Sequence, residues 1–90
     1  MNYEQLKKDG YYIRVQKGKY NNTKHIEYSL SKDITETQRE VVCLLNYKSV
    51  KLLIDKYNFI KTDAVETLWL NCPESLNLDN SKPMVLTWYN

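Results

Sequence analysis

Glycine, proline, cysteine and histidine are all scarce in this chain, and each shortage removes a class of function. The only glycines, Gly10 and Gly18, stand too far apart to form a glycine-rich loop that cradles a pyrophosphate. The lone histidine, His25, has no titratable constellation around it in sequence, and no Ser or Thr stands in a nucleophile motif, so no enzyme is expected. Cys43 and Cys72 make no CxxC pair and could recruit a single histidine, which argues against a zinc site or a disulfide framework. Free thiols, no metal and no cofactor are the expectation. No apolar run approaches the roughly 18 residues of a spanning helix. The opening MNYEQLKKDG has no apolar segment of signal-peptide type, so a cytoplasmic protein without membrane contact is expected.

What is present bounds the fold. Ninety residues at 42% apolar and 27% charged content suit one small domain, 1–90, since two independent cores need more chain. The net charge of +2 is compatible with nucleic acid but does not by itself imply it. Lys, Asn and Tyr are plentiful, a bias that points to an AT-rich coding source such as a low-GC bacterium, a phage or a plasmid.

Taken in order, residues 2–8 have Tyr3 and Leu6 on one side of a helical turn that Asp9-Gly10 would end. From Tyr11 the period becomes two, with Tyr11, Ile13 and Val15 on one face and Tyr12, Arg14 and Gln16 on the other. After the loop residues Gly18 and Asn21-Asn22, His25 to Leu30 alternates again, which predicts a hairpin. Arg14, Lys17, Lys19 and Lys24 gather there beside Tyr12 and Tyr20, a mixture able to grip phosphates and stack on bases. The same lysines can instead keep an exposed strand edge soluble and unpaired.

Three helices are expected next. Asp33 and Glu36 have capping-box spacing, and Ile34, Gln38, Val41, Val42 and Leu45 form a stripe over 33–46 that Asn46 would close in a left-handed turn. Cys43 would be a small core residue of that helix. Ser49 can cap a second helix in which Val50, Leu53, Ile54 and Tyr57 repeat at i, i+3, i+4 and i+7; Lys48, Lys51, Asp55 and Lys56 lie on its other face. Asn58 can take a left-handed turn, with Phe59-Ile60 entering the core. Thr62 or Asp63 would begin a third helix to Leu70, Asp63 and Glu66 again having capping-box spacing. After Pro73, Leu76-Leu78, a turn through Asp79-Asn80-Ser81, and Met84 to Tyr89 predict a second hairpin.

The residues Thr35, Gln38, Arg39, Glu40, Val41, Leu44 and Leu45, followed by Ile54, Phe59, Ile60 and Val65, resemble the helix-turn-helix of response-regulator and sigma-factor DNA-binding domains. The resemblance implies an α+β fold of winged-helix type: an N-terminal β-hairpin, a three-helix helix-turn-helix core and a C-terminal hairpin. It implies a scaffold helix over 49–57 and a groove-entering helix over 62–70, with Lys61, Thr62, Thr67 and Asn71 as groove contacts and Lys48 and Lys51 on phosphates. The chain departs from that pattern at Asp55, where such motifs place a small residue, and at Asp63 and Glu66, which oppose phosphates. Residues 46–88 also resemble the last helix and strands of GNAT-type acetyltransferases, without the glycine-rich loop that would hold CoA.

Two functions of different class follow. One is a small DNA-binding regulator or replication accessory of a phage, plasmid or other mobile element. The other is a non-enzymatic module that binds and inhibits a host protein through its tyrosines, of which there are eight. DNA-binding domains of this size often dimerise on palindromic sites, and Trp88-Tyr89 could supply such a homodimer interface.

Overall fold

A computed structural model of the chain describes residues 2–20, 23–63, 65–68 and 84–87; of residues 19, 20, 65–68, 84, 86 and 87 it describes the backbone alone. The elements are α1 (Tyr3–Lys8), β1 (Tyr12–Tyr20), β2 (Thr23–Thr35), β3 (Gln38–Leu45), α2 (Tyr47–Tyr57), β4 (Val65–Leu68) and β5 (Met84–Thr87). The strands form one sheet in the order β4-β1-β2-β3-β5. Its centre is the antiparallel meander β1-β2-β3; β4 joins β1 in parallel and β5 joins β3 antiparallel. Among the described residues the architecture is therefore two helices on a sheet, and the expected three-helix helix-turn-helix core with flanking hairpins is wrong.

Local chemistry explains the pieces that follow expectation. The Asn2 side chain accepts the Gln5 N–H at 3.1 Å and starts α1. Gly10, at φ 96, ends it: the Gly10 N–H reaches the Lys7 carbonyl at 3.1 Å and the Tyr11 N–H reaches that of Leu6 at 3.1 Å, a Schellman closure that needs a left-handed residue. The first hairpin forms as predicted, with Ile13 opposite Leu30 and Val15 opposite Tyr28. In α2 the stripe of Val50, Leu53, Ile54 and Tyr57 faces the core, and Asn58 takes the left-handed turn at φ 57 and ψ 37.

The first departure is the segment expected as a helix over 33–46. Asp33 to Thr35 finish β2, and Gln38–Leu45 is a strand in which Arg39, Val41 and Cys43 are buried while their neighbours are half-buried. A β-bulge explains the helical look of this stretch. Leu30 lies opposite Cys43 but Ser31 lies opposite Val41, so Val42 is an extra residue that breaks the two-residue period. Asp33 caps nothing: its Oδ1 accepts the Tyr12 hydroxyl at 2.7 Å, while Thr35 Oγ1 accepts the Thr37 N–H in the turn. Ile34, expected in the core, is exposed. Asn46 is extended at φ −88 and ψ 168, and its side chain accepts the Ser49 N–H at 2.8 Å, so it opens α2 and does not close a preceding helix.

The second departure is the expected groove-entering helix over 62–70. The Ile13 N–H donates to the Ile60 carbonyl at 2.8 Å and the Thr62 N–H to the Ile13 carbonyl at 2.9 Å, which binds this segment to the free edge of β1. The Thr62 hydroxyl adds to the seam by accepting the Val15 N–H at 3.1 Å and donating to the Ile13 carbonyl at 3.3 Å. Beyond it Val65–Leu68 runs beside Gln16–Lys19 as β4. An unpaired strand edge offers a whole row of backbone partners, and that outweighs the local capping-box signal of Asp63 and Glu66. Of the second hairpin, Met84–Thr87 forms a strand, paired with Gln38–Val41; the expected first arm at Leu76-Leu78, and Trp88 and Tyr89, lie outside the described residues.

The core cluster lies on the helix side of the sheet, while Val41, also buried, lies on the other side with Ser31. Ile13, Leu30 and Cys43 stand side by side on β1, β2 and β3, and Val50, Leu53 and Phe59 cover them, with Tyr3 and Leu6 of α1 alongside. Tyr3 packs edge-on against Phe59 and tilted against Tyr57, tying α1 to the end of α2. Ile60, expected to enter the core with Phe59, is exposed. Among the described residues no helix is long and apolar enough to cross a membrane.

Candidate functional site

Two regions concentrate polar chemistry: the far end of the β1–β2 hairpin and the sheet face opposite the helices. Both arise from alternation in β1 and β2, which sends Ile13 and Val15 inward to the core and Tyr12, Arg14 and Gln16 to the other side.

The hairpin outruns the meander. The last β2–β3 pair is Tyr28 with Leu45, but β1 and β2 continue through five further pairs, from Gln16 with Glu27 to Tyr20 with Thr23. Five strand residues at roughly 3.3 Å each extend this end about 16 Å past β3. Residues 11–26 contain Arg14, Lys17, Lys19 and Lys24 and no acid. Lys19 and Lys24 occupy directly opposed register positions, and Lys17 and Lys24 are exposed. Like charges set directly opposite one another destabilise a strand pair.

The fold does not gather all the sequence-predicted contacts. Lys48 and Lys51 are exposed on α2, in the layer on the other side of the core from Arg14. Lys61 is exposed beside β1, and Thr62 serves the seam with Ile13 and Val15. Thr67 lies in β4 at the register position of Gly18, and Asn71 lies outside the described residues. Arg14, Lys17, Lys19 and Lys24 alone share one element pair.

The face opposite the helices carries a set that sequence reasoning did not single out as a site. Arg14 lies opposite Ser29, Tyr12 opposite Ser31, Ser31 opposite Val41 and Asp33 opposite Arg39, so all of these share one side of the sheet. Ser29, Ser31, Arg39 and Val41 are buried. The two serine hydroxyls hydrogen-bond each other at 2.8 Å, and Arg14 Nη1 donates to Gln16 Oε1 at 2.7 Å. Burial, then the nearby Arg14 charge, lowers the Arg39 pKa, while Tyr12 and Asp33 raise it. Burial and the bond to Asp33 push the Tyr12 phenol up to about 12. On the same face Glu27 is raised by burial, with His25 pulling it down. The signal that could have exposed this set is the alternation of Ser29, Ser31 and Asp33, hidden because Asp33 and Arg39 read as helical.

Among the described residues, no group of three or more His, Cys, Asp or Glu is placed to hold a metal ion. Cys43 is a free, buried thiol whose pKa burial raises, opposite to what an activated nucleophile needs. In comparisons with known proteins, no family model matches the chain, and no curated protein or solved structure matches it. The arrangement itself can offer a row of cations to a polyanion, and it sets Arg14 and the buried Arg39 on one face of the sheet.

Proposed function

We propose that this chain binds nucleic acid, gripping the phosphate backbone with the β1–β2 hairpin and using no recognition helix. The observation that carries the reading is the opposed pair Lys19 and Lys24, with Lys17 nearby, in a run over residues 11–26 that contains no acid; Glu66 of β4 stands at the register position of Lys17, on the outer side of β1 from Lys24. Such a pair costs stability in the free protein, and a polyanion relieves that cost while releasing its own counterions. A regulator or replication accessory of a phage or other mobile element would use binding of this kind.

Fluorescence anisotropy on duplex and single-stranded oligonucleotides at low salt tests it. Three lysine contacts predict a log K against log salt slope of about −2 to −3. The triple variant Lys17→Gln, Lys19→Gln, Lys24→Gln should lose most of that slope, whereas Lys48→Gln with Lys51→Gln should keep it. No binding at micromolar protein, or an unchanged triple variant, sinks the reading.

A second reading, a protein-binding inhibitor of a host factor, is favoured by Tyr47 and Leu52, large apolar side chains exposed on α2 at 70% and 49%. A stoichiometric protein partner lost on Tyr47→Ala with Leu52→Ser would support it.

A further inference from the structure

Where the first hairpin outruns the meander, β2 becomes a strand edge, and the bonds of β1 reveal which backbone groups that edge presents. Ile13 directs both its N–H and its C=O away from β2, to the Ile60 carbonyl and the Thr62 N–H. In an antiparallel ladder such a residue forms a non-hydrogen-bonded pair with the one opposite, and pairs of this kind recur at every second position. Ile13 with Leu30 is therefore followed by Val15 with Tyr28, Lys17 with Ile26, and Lys19 with Lys24. Leu30 and Tyr28 turn their outward groups to β3, where Cys43 and Leu45 meet them. At Ile26 and Lys24 β3 has ended. Among the described residues no strand stands on that side of them, and no hydrogen bond reaches their outward N–H and C=O groups. The two residues stand about 7 Å apart and share one side of the sheet. Ile26 is 53% exposed and Lys24 is exposed as well. Four unpaired backbone groups beside an exposed isoleucine are a template for another strand. Pairing with a second copy would crowd Lys19 and Lys24 of both copies together, so charge favours a partner of opposite sign.

We propose that this edge takes up an extended acidic segment of a partner protein, which adds antiparallel to β2 in the place that β3 vacates. An apolar residue of the segment lies opposite Ile26, and two residues later a carboxylate lies opposite Lys24. Its backbone exchanges two pairs of hydrogen bonds with those residues, which supply affinity, while the two side chains supply selection. The inference does not rest on the nucleic-acid reading, because it uses the backbone edge and Ile26.

The peptide acetyl-Thr-Val-Thr-Glu-Thr-amide, titrated to millimolar concentration against the intact chain, tests the edge by amide NMR. The amides of Lys24 and Ile26 should shift saturably and exchange more slowly with solvent, while those of His25 and Glu27, which face β1, should change less. The same peptide N-methylated at its valine should bind about tenfold more weakly or worse, because a hydrogen bond is lost and the strand is blocked. Ile26→Lys, at an exposed position outside the core, should abolish peptide binding and leave oligonucleotide binding no weaker. No binding of the plain peptide, equal affinity of the N-methylated one, or unchanged binding by Ile26→Lys overturns the proposal, whatever the lysine variants do to nucleic acid. Slowed exchange at Lys24 and Ile26 that grows with protein concentration alone assigns the edge to a second copy and overturns it too. The same protection produced by an oligonucleotide and not by the peptide assigns the edge to nucleic acid, with the same consequence.

Discussion

Tyr11 and Tyr12 are neighbours that point to opposite faces of the sheet, and each ends on a carboxylate. The Tyr11 hydroxyl donates to Glu40 on the helix side, where the Lys32 ammonium lies 5.5 Å from the ring; Tyr12 donates to Asp33 on the other. The bond to Glu40, then burial, pushes the Tyr11 pKa up to about 12 from 10.0. A phenol that holds its proton more tightly when folded stabilises the fold fully below pH 10, and that contribution is lost as pH rises toward 12. Tyr11→Phe should therefore lower the melting temperature at pH 8 and show a smaller further loss between pH 10 and 12 than wild type. Urea titrations across that range check it. The alternation that separates Tyr11 from Tyr12 was plain in the residues, but Glu40 and Asp33 were not visible as partners because both lay in a stretch with helical spacing.

At the scale of elements, two asparagines do opposite jobs. Asn46 in an extended conformation caps the start of α2, and Asn58 in the left-handed region ends it. Asn46→Ala should cost about 1 kcal/mol, the usual worth of an N-cap. Asn58→Gly should be neutral or stabilising and Asn58→Ala should cost about 1 kcal/mol, because a Cβ without a polar group is strained there. Chemical denaturation of the three variants measures both. α2 was legible because its i, i+3, i+4, i+7 stripe is long and the helix makes its own hydrogen bonds. β3 was not, because the bulge at Val42 mixes two faces of the sheet into one apparent helical stripe. Thr62 shows the same limit: a hydroxyl that reads as a groove contact instead bridges Ile13 and Val15.

For the whole molecule, the central position of β2 orders local stability. Between Tyr28 and Ser31 it pairs with β1 on one side and β3 on the other, while β4 and β5 are four-residue edges. Amides of Leu30 and Cys43 should exchange with solvent only through global opening, and those of Val65–Leu68 should exchange faster. Hydrogen exchange followed by NMR checks the ranking, and equal protection in β4 and β2 would contradict it. The residues by themselves determined what is local: the α1 stop at Gly10, the first hairpin and its cations, the α2 stripe and the Asn58 turn. Only the tertiary structure decided which segments complete the sheet. Strand pairing draws its hydrogen bonds from distant residues, so the free edges of β1 and β2 turned two stretches with helical spacing into strands. In doing so they brought Arg39 to the same face as Arg14.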